Sequence, residues 1–130
     1  MILVDTSVWV DVLRHGDSLV AFRQQVADEQ VVLSRFTALE LLVGAADEAE
    51  WDRLALHLGD QRYVEMGERT WVDAARTHFE LRSRGRTVGS AIDCCIAQLA
   101  IENRFVLLHR DRDFETIAEI RPLRHLRFEA

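Results

Sequence analysis

The sequence predicts an α/β fold in which helices cover both faces of a short, mainly parallel central sheet, a three-layer α/β/α arrangement. Two runs, Ile2-Leu3-Val4 and Phe105-Val106-Leu107-Leu108, are continuously apolar, which is how strands covered on both faces read. Longer stretches with helical spacing lie between the apolar runs, and strands alternating with helices favour parallel pairing through crossovers. Both runs also lead quickly to an acid, Asp5 and Asp111. In open α/β sheets the C-terminal strand edge is where ligands bind.

Taken in order, Ile2 to Val4 is the first strand, and Thr6 or Ser7 can cap a helix running to Leu13. That helix is apolar nearly all round, through Val8, Trp9, Val10, Val12 and Leu13. It either meets another chain or is buried between two helices. His15-Gly16-Asp17 ends it, and Asp17 or Ser18 caps a second helix, Leu19 to Asp28. Val31-Val32-Leu33 is a short strand, followed after Ser34 by a helix from Phe36 to Ala46. Asp47 to Leu58 reads as a more polar helix with Trp51, Leu54, Ala55 and Leu58 as a core-facing stripe, ended by Gly59-Asp60. Tyr63 to Met66 is a candidate third strand. Glu68 to Arg84 has the spacing of a long amphipathic helix, with Trp71, Ala74, Ala75, His78, Phe79 and Arg82 on related faces. After a loop from Gly85 to Gly89, Ser90 starts a helix to Asn103 that is almost wholly apolar apart from Asp93 and Gln98. The strand from Phe105 is followed by a short helix to Glu119, ended by Pro122. Leu123 to Phe128 is a candidate edge strand.

Length and composition narrow the function. The 130 residues suit one domain, able to bury roughly two-thirds of its unfolded surface. Hydrophobic residues at 48% and charged residues at 29% exclude the disordered class. The opening residues predict no leader and the apolar runs predict no spanning segment, and the two cysteines are the neighbours Cys94 and Cys95, which rarely meet disulfide geometry. These features predict a soluble, cytoplasmic protein. The net charge of -6 argues against nonspecific nucleic-acid binding while leaving room for a local basic groove. All 16 basic residues are arginine, which excludes Schiff-base and other lysine-dependent chemistry.

Four acids stand in apolar company. Asp5 and Asp111 follow the two most apolar strands, while Glu40 and Asp93 lie in helices expected to be largely buried. Each also has a plainer reading: Asp5 as an N-cap, Asp93 as a first-turn acid favoured by the helix dipole, Asp111 and Asp113 as turn residues before Phe114, and Glu40 as a residue on a differently phased face. If the acids converge, each pair about 4 Å apart repels by about 1 to 4 kcal/mol at effective dielectrics of about 80 to 20. A divalent cation relieves this, and an all-carboxylate set suits Mg²⁺ or Mn²⁺. The five histidines lack HExxH spacing, which argues against zinc.

With these residues in view, the chain resembles the PIN-domain family and, within it, the VapC-type ribonuclease toxins of toxin-antitoxin pairs. The resemblance covers nearly the whole chain. It rests on Asp5-Thr6-Ser7 after an apolar run, Leu33-Ser34 followed by Ala38-Leu39-Glu40-Leu41, Asp93-Cys94-Cys95-Ile96-Ala97, and Leu107-Leu108-His109-Arg110-Asp111-Arg112-Asp113-Phe114, in that order. It implies that Asp5, Glu40, Asp93 and Asp111 hold one or two Mg²⁺ or Mn²⁺ ions, with Asp113 as a secondary acid and Thr6 or Ser7 supporting the pocket. It further implies metal-assisted hydrolysis of RNA, a homodimer, and a cognate antitoxin. Arg82, Arg84 and Arg86, which precede the Asp93 helix, and Arg110 and Arg112, which flank Asp111, are the candidate RNA contacts. The alternative is a PIN nuclease with a housekeeping RNA-processing or DNA substrate. An aspartyl phosphotransferase is disfavoured because the chain has no lysine and carries Thr6-Ser7 after Asp5.

Overall fold

The computed structural model describes Met1 to Ala130. Its elements are β1 (Ile2–Val4), α1 (Thr6–Arg14), α2 (Gly16–Val26), β2 (Val31–Ser34), α3 (Arg35–Val43) and α4 (Glu48–Gly59), then β3 (Tyr63–Val64), α5 (Glu68–Ser83), α6 (Ala91–Asn103), β4 (Val106–His109), α7 (Arg112–Ala118) and β5 (His125–Arg127). The five strands form one sheet in the order β3-β2-β1-β4-β5, and all four pairings are parallel. β1 lies at its centre, with Leu3 beside Val32 on one side and Leu107 on the other.

Successive residues of the two apolar runs point to opposite faces, as strand geometry requires. Leu3 and Leu107 pack with Ala74, Leu81, Ile96, Leu99 and Phe114 under α5, α6 and α7. Ile2, Val4 and Leu108 pack with Val8, Phe22, Leu41 and Phe128 on the other side. Both faces are therefore covered, which is why neither run alternates with polar residues.

Several expectations shift in detail. In α1 only Val8 and Val12 are buried, Trp9 stacks on Phe22 at 5.2 Å, and Leu13 is exposed. α2 begins at Gly16, before the expected cap, because His15 with an extended backbone serves as the C-cap of α1 and the N-cap of α2. α3 stops at Val43, and Asp47 caps α4 by accepting from the Glu50 amide. The core-facing stripe expected on α4 is corrected in part: Leu58 is buried and half-buried Leu54 packs against the core, whereas Trp51, 46% exposed, and Ala55 lie outside it. On α5 the buried face is Thr70, Ala74, Thr77 and Leu81, so the aromatic residues Trp71 and Phe79 lie outside it. β3 is only two residues long. No helix is long and apolar enough to cross a membrane.

Candidate active site

β1 and β4 are neighbours, so the chain leaves the sheet twice along one edge, at Asp5 and just beyond His109. At each exit the acid starts a helix. Asp5 caps α1, its Oδ2 accepting from the Ser7 amide at 3.0 Å and the Ser7 hydroxyl at 2.6 Å. Asp111 caps α7, its Oδ1 accepting from the Asp113 amide at 2.9 Å. Asp93 lies in the first turn of α6, whose cap is Ser90. The positive ends of three helix dipoles thus meet the carboxylates there. The cap readings of Asp5 and Asp111 and the first-turn reading of Asp93 hold, and the same residues also line a common cleft.

That cleft, of about 370 Å³, is lined by Asp5, Thr6, Ser7, Val10, Glu40, Asp93 and Asp111. Glu40 reaches it by a different route from the one expected. It is exposed rather than inward-facing, and the Thr6 hydroxyl donates to its Oε1 at 2.8 Å. Thr6 Oγ1 also lies 3.0 Å from Thr37 Oγ1, and Thr37 is fully buried one helical turn before Glu40. Asp113 stands beside the cleft, its Oδ2 accepting from the Gly89 amide at 2.9 Å. Thr6 and Ser7 therefore both orient acids, Thr6 toward Glu40 and Ser7 toward Asp5.

Burial raises the Asp5 carboxyl above its ordinary range, against the Ser7 hydrogen bonds that lower it. Asp93 is pushed up to about 8, first by desolvation and then by the charges of Asp111, Asp5 and Asp113, with a hydrogen bond to Asp113 in the same direction. Crowding of like charges in a desolvated site disfavours the ionised carboxylate, and a cation bound among these acids would reverse that effect. Oxygens of Asp93, Asp111 and Asp113 lie within 4.8 Å of one another. Octahedral coordination at about 2.1 Å separates ligand oxygens by about 3 to about 4 Å, so small side-chain rotations suffice for Mg²⁺ or Mn²⁺. The donor set fits such an ion: it is all oxygen and made of carboxylates from separate elements.

The arginines divide into two groups. Arg110 is paired with Asp11 on α1 at 2.6 Å, and Arg86 with Glu119 at 2.7 Å. Arg82, Arg84 and Arg112 are exposed and make no ion pair, and none of the five lines the cleft. Cys94 and Cys95 are buried free thiols, and burial pushes Cys94 up to about 11, so it is no nucleophile at neutral pH. His109 is fully buried behind the site, and burial followed by the adjacent His125 lowers it to about 4. Asp11, Thr37, Gly89 and His125 join the site only through tertiary contacts. Nothing in their local sequence marks them, although Thr37 stands three residues before Glu40 on the same helix.

The PIN domain family matches residues 2–120. The chain belongs to the PIN-domain family. Among relatives of this PIN domain, Ribonuclease VapC11 of Mycobacterium tuberculosis is 33% identical over 133 residues, covering 98% of this chain and 99% of that protein. A VapC ribonuclease of Mycobacterium bovis is similar to the same extent. In three dimensions the chain is similar to VapBC2 from Rickettsia felis bound to a DNA fragment from their promoter, with a TM-score of 0.79 at 20% identity over 99% of this chain and 100% of that one. VapBC-1 from nontypeable Haemophilus influenzae gives 0.79 at 21% identity, covering 98% of each chain. At such identities the structural likeness establishes the fold.

Proposed function

We propose that this PIN domain, acting as one unit over residues 1–130, is a Mg²⁺- or Mn²⁺-dependent endoribonuclease and the toxin of a toxin-antitoxin pair. One observation carries the reading: Asp5, Asp93 and Asp111 reach a single cleft from three separate elements, and oxygens of Asp93, Asp111 and the adjacent Asp113 lie within 4.8 Å of one another, a spacing that suits a divalent cation. The relatives at 33% identity, named as VapC ribonucleases, support RNA as the substrate. The VapBC complexes of the same fold support an antitoxin partner. Homodimerisation and action in the cytoplasm, where the RNA lies, complete the proposal.

In this mechanism Asp5, Asp93 and Asp111 hold the ion, Glu40 completes the acidic wall and Asp113 serves as a secondary acid. A divalent cation bound there supplies charge for the phosphate and leaving oxygen and lowers the pKa of water. Ser7 holds Asp5 Oδ2, and Thr6 donates to Glu40 Oε1 at the rim of the cleft. Arg82, Arg84, Arg86, Arg110 and Arg112 are the candidates to meet RNA phosphates. The unpaired Arg82, Arg84 and Arg112 come first because no ion pair has to break.

The purified protein should cleave RNA with Mg²⁺ or Mn²⁺ and lose activity with chelator and in Asp93→Asn. Cleavage that ignores both would refute the metal-site assignment. Expression should arrest growth, Asp5→Ala should relieve the arrest, and equal toxicity of the two would refute the toxin reading.

A further inference from the structure

His109 has a hydrogen-bonding position that the acidic cleft does not account for. It is the last residue of β4, its side chain is fully buried, and the Phe114 ring lies 5.1 Å from it. The Asp111 amide donates to its Nδ1 at 3.1 Å, and its Nε2 lies 2.9 Å from Nδ1 of His125 on β5. A neutral imidazole carries one proton. Because the amide occupies the Nδ1 lone pair, that proton is on Nε2 and points at His125. His125 Nδ1 is then an acceptor, with its own proton on Nε2. The run of donors from the Asp111 amide through His109 to His125 therefore has only one arrangement.

We propose that His109 is a positioning residue for Asp111, acting as a fixed acceptor for its backbone amide while His125 holds the ring in place. The inference rests on the metal-site reading above and concerns how one of its acids is held. Asp111 is gripped at two points: its amide by His109 and its Oδ1 by the Asp113 amide. These two contacts leave Oδ2 without a hydrogen-bond partner, in a residue that lines the cleft. Without the His109 acceptor, the Asp111 amide loses its partner and the turn after β4 can rotate its carboxylate away. A partner of this kind behind a metal ligand is worth roughly 10- to 100-fold in metal affinity.

The test uses the full chain, with Mn²⁺ binding followed by water-proton relaxation and ring protonation followed by long-range ¹H–¹⁵N NMR of the metal-free protein. The wild type should show His109 protonated on Nε2 alone. His109→Leu should weaken Mn²⁺ binding roughly 10- to 100-fold. His109→Asn, whose Oδ1 can reach the Asp111 amide, should recover most of that loss. His125→Ala, a change on a half-buried edge strand, should weaken binding less and broaden the His109 ring signals. A His109 ring protonated on Nδ1, or a folded His109→Leu that binds Mn²⁺ like the wild type, overturns the proposal. If His109→Leu does not fold, His125→Ala decides, and wild-type Mn²⁺ affinity there overturns it. Failure of the metal reading looks different, with wild type and Asp93→Asn equally indifferent to Mn²⁺. The metal-free ring tautomer then still supports or overturns the contact.

Discussion

Ser7 joins the two exits of the sheet: its hydroxyl donates to Asp5 Oδ2 at 2.6 Å and accepts the Arg110 amide at 2.9 Å. One side chain thereby fixes the first acid and the backbone leading to the last. Ser7→Ala should cost about 1 to 3 kcal/mol of stability, because it leaves the Arg110 amide and the Asp5 carboxylate short of a partner. Urea unfolding measures the loss. Mn²⁺ affinity should fall by roughly tenfold. A variant unchanged in both would show that the Ser7 hydroxyl holds neither Asp5 nor the turn at Arg110.

The pH response of the metal-free protein follows from Asp93. Its folded pKa of about 8 lies above the unfolded value, near 3.8, so between these the folded state binds more protons. Stability contributed by this group is therefore present at low pH and lost as pH rises toward 8. The melting temperature of the wild type should fall across that window relative to Asp93→Asn. Saturating Mn²⁺ should protect most at the alkaline end, where no proton has to leave. Thermal melts of both proteins from pH 5 to pH 9, with and without Mn²⁺, check this.

Gly89 leaves little room beside Asp113. An added Cβ would lie 3.3 Å from Asp113 Oδ2, which the Gly89 amide holds. Gly89→Ala should cost about 1 kcal/mol and weaken Mn²⁺ binding a few-fold by shifting Asp113. Gly59→Ala, with open space around its Cβ, is the control and should leave metal binding unchanged. Calorimetric titration of both variants separates the effects.

The arginine pairings predict unequal contributions to RNA binding. Arg84→Ala should reduce the slope of log affinity against log salt by about 0.7, the value for one phosphate contact on single-stranded RNA. Arg110→Ala should leave the slope nearly unchanged, because Asp11 already neutralises that guanidinium. Filter binding with the inactive Asp93→Asn protein at several salt concentrations measures both.

The positions of Asp5 and Asp111 were legible because each follows a strand whose unbroken apolar character signals burial on both faces. Asp93 was legible from its place near the start of a nearly all-apolar helix. Glu40 was placed in the right helix and on the wrong side of the boundary with solvent, since periodicity gives the phase of a helix and not how deeply it sits. Size misled the reading of α4 and α5. Trp51, Trp71 and Phe79 look like core residues by hydrophobicity, yet the faces that pack on the sheet use smaller ones such as Ala74, Thr77 and Leu81. Thr37, Gly89 and His125 act through partners 16 to 31 residues away in sequence, and a linear reading has no measure of those contacts.

The pairing of β1 with β4 also bears on synthesis. The Arg110–Ser7 hydrogen bond spans 103 residues, so the cleft belongs to the contacts of highest sequence separation, which form late because chain closure must precede them. A ribosome that has translated the first hundred residues holds β1 and Asp5 but neither β4 nor Asp111. A prematurely terminated chain of that length lacks half of the paired exits. On the proposed function, only a chain made past Asp111 is dangerous to the cell that makes it.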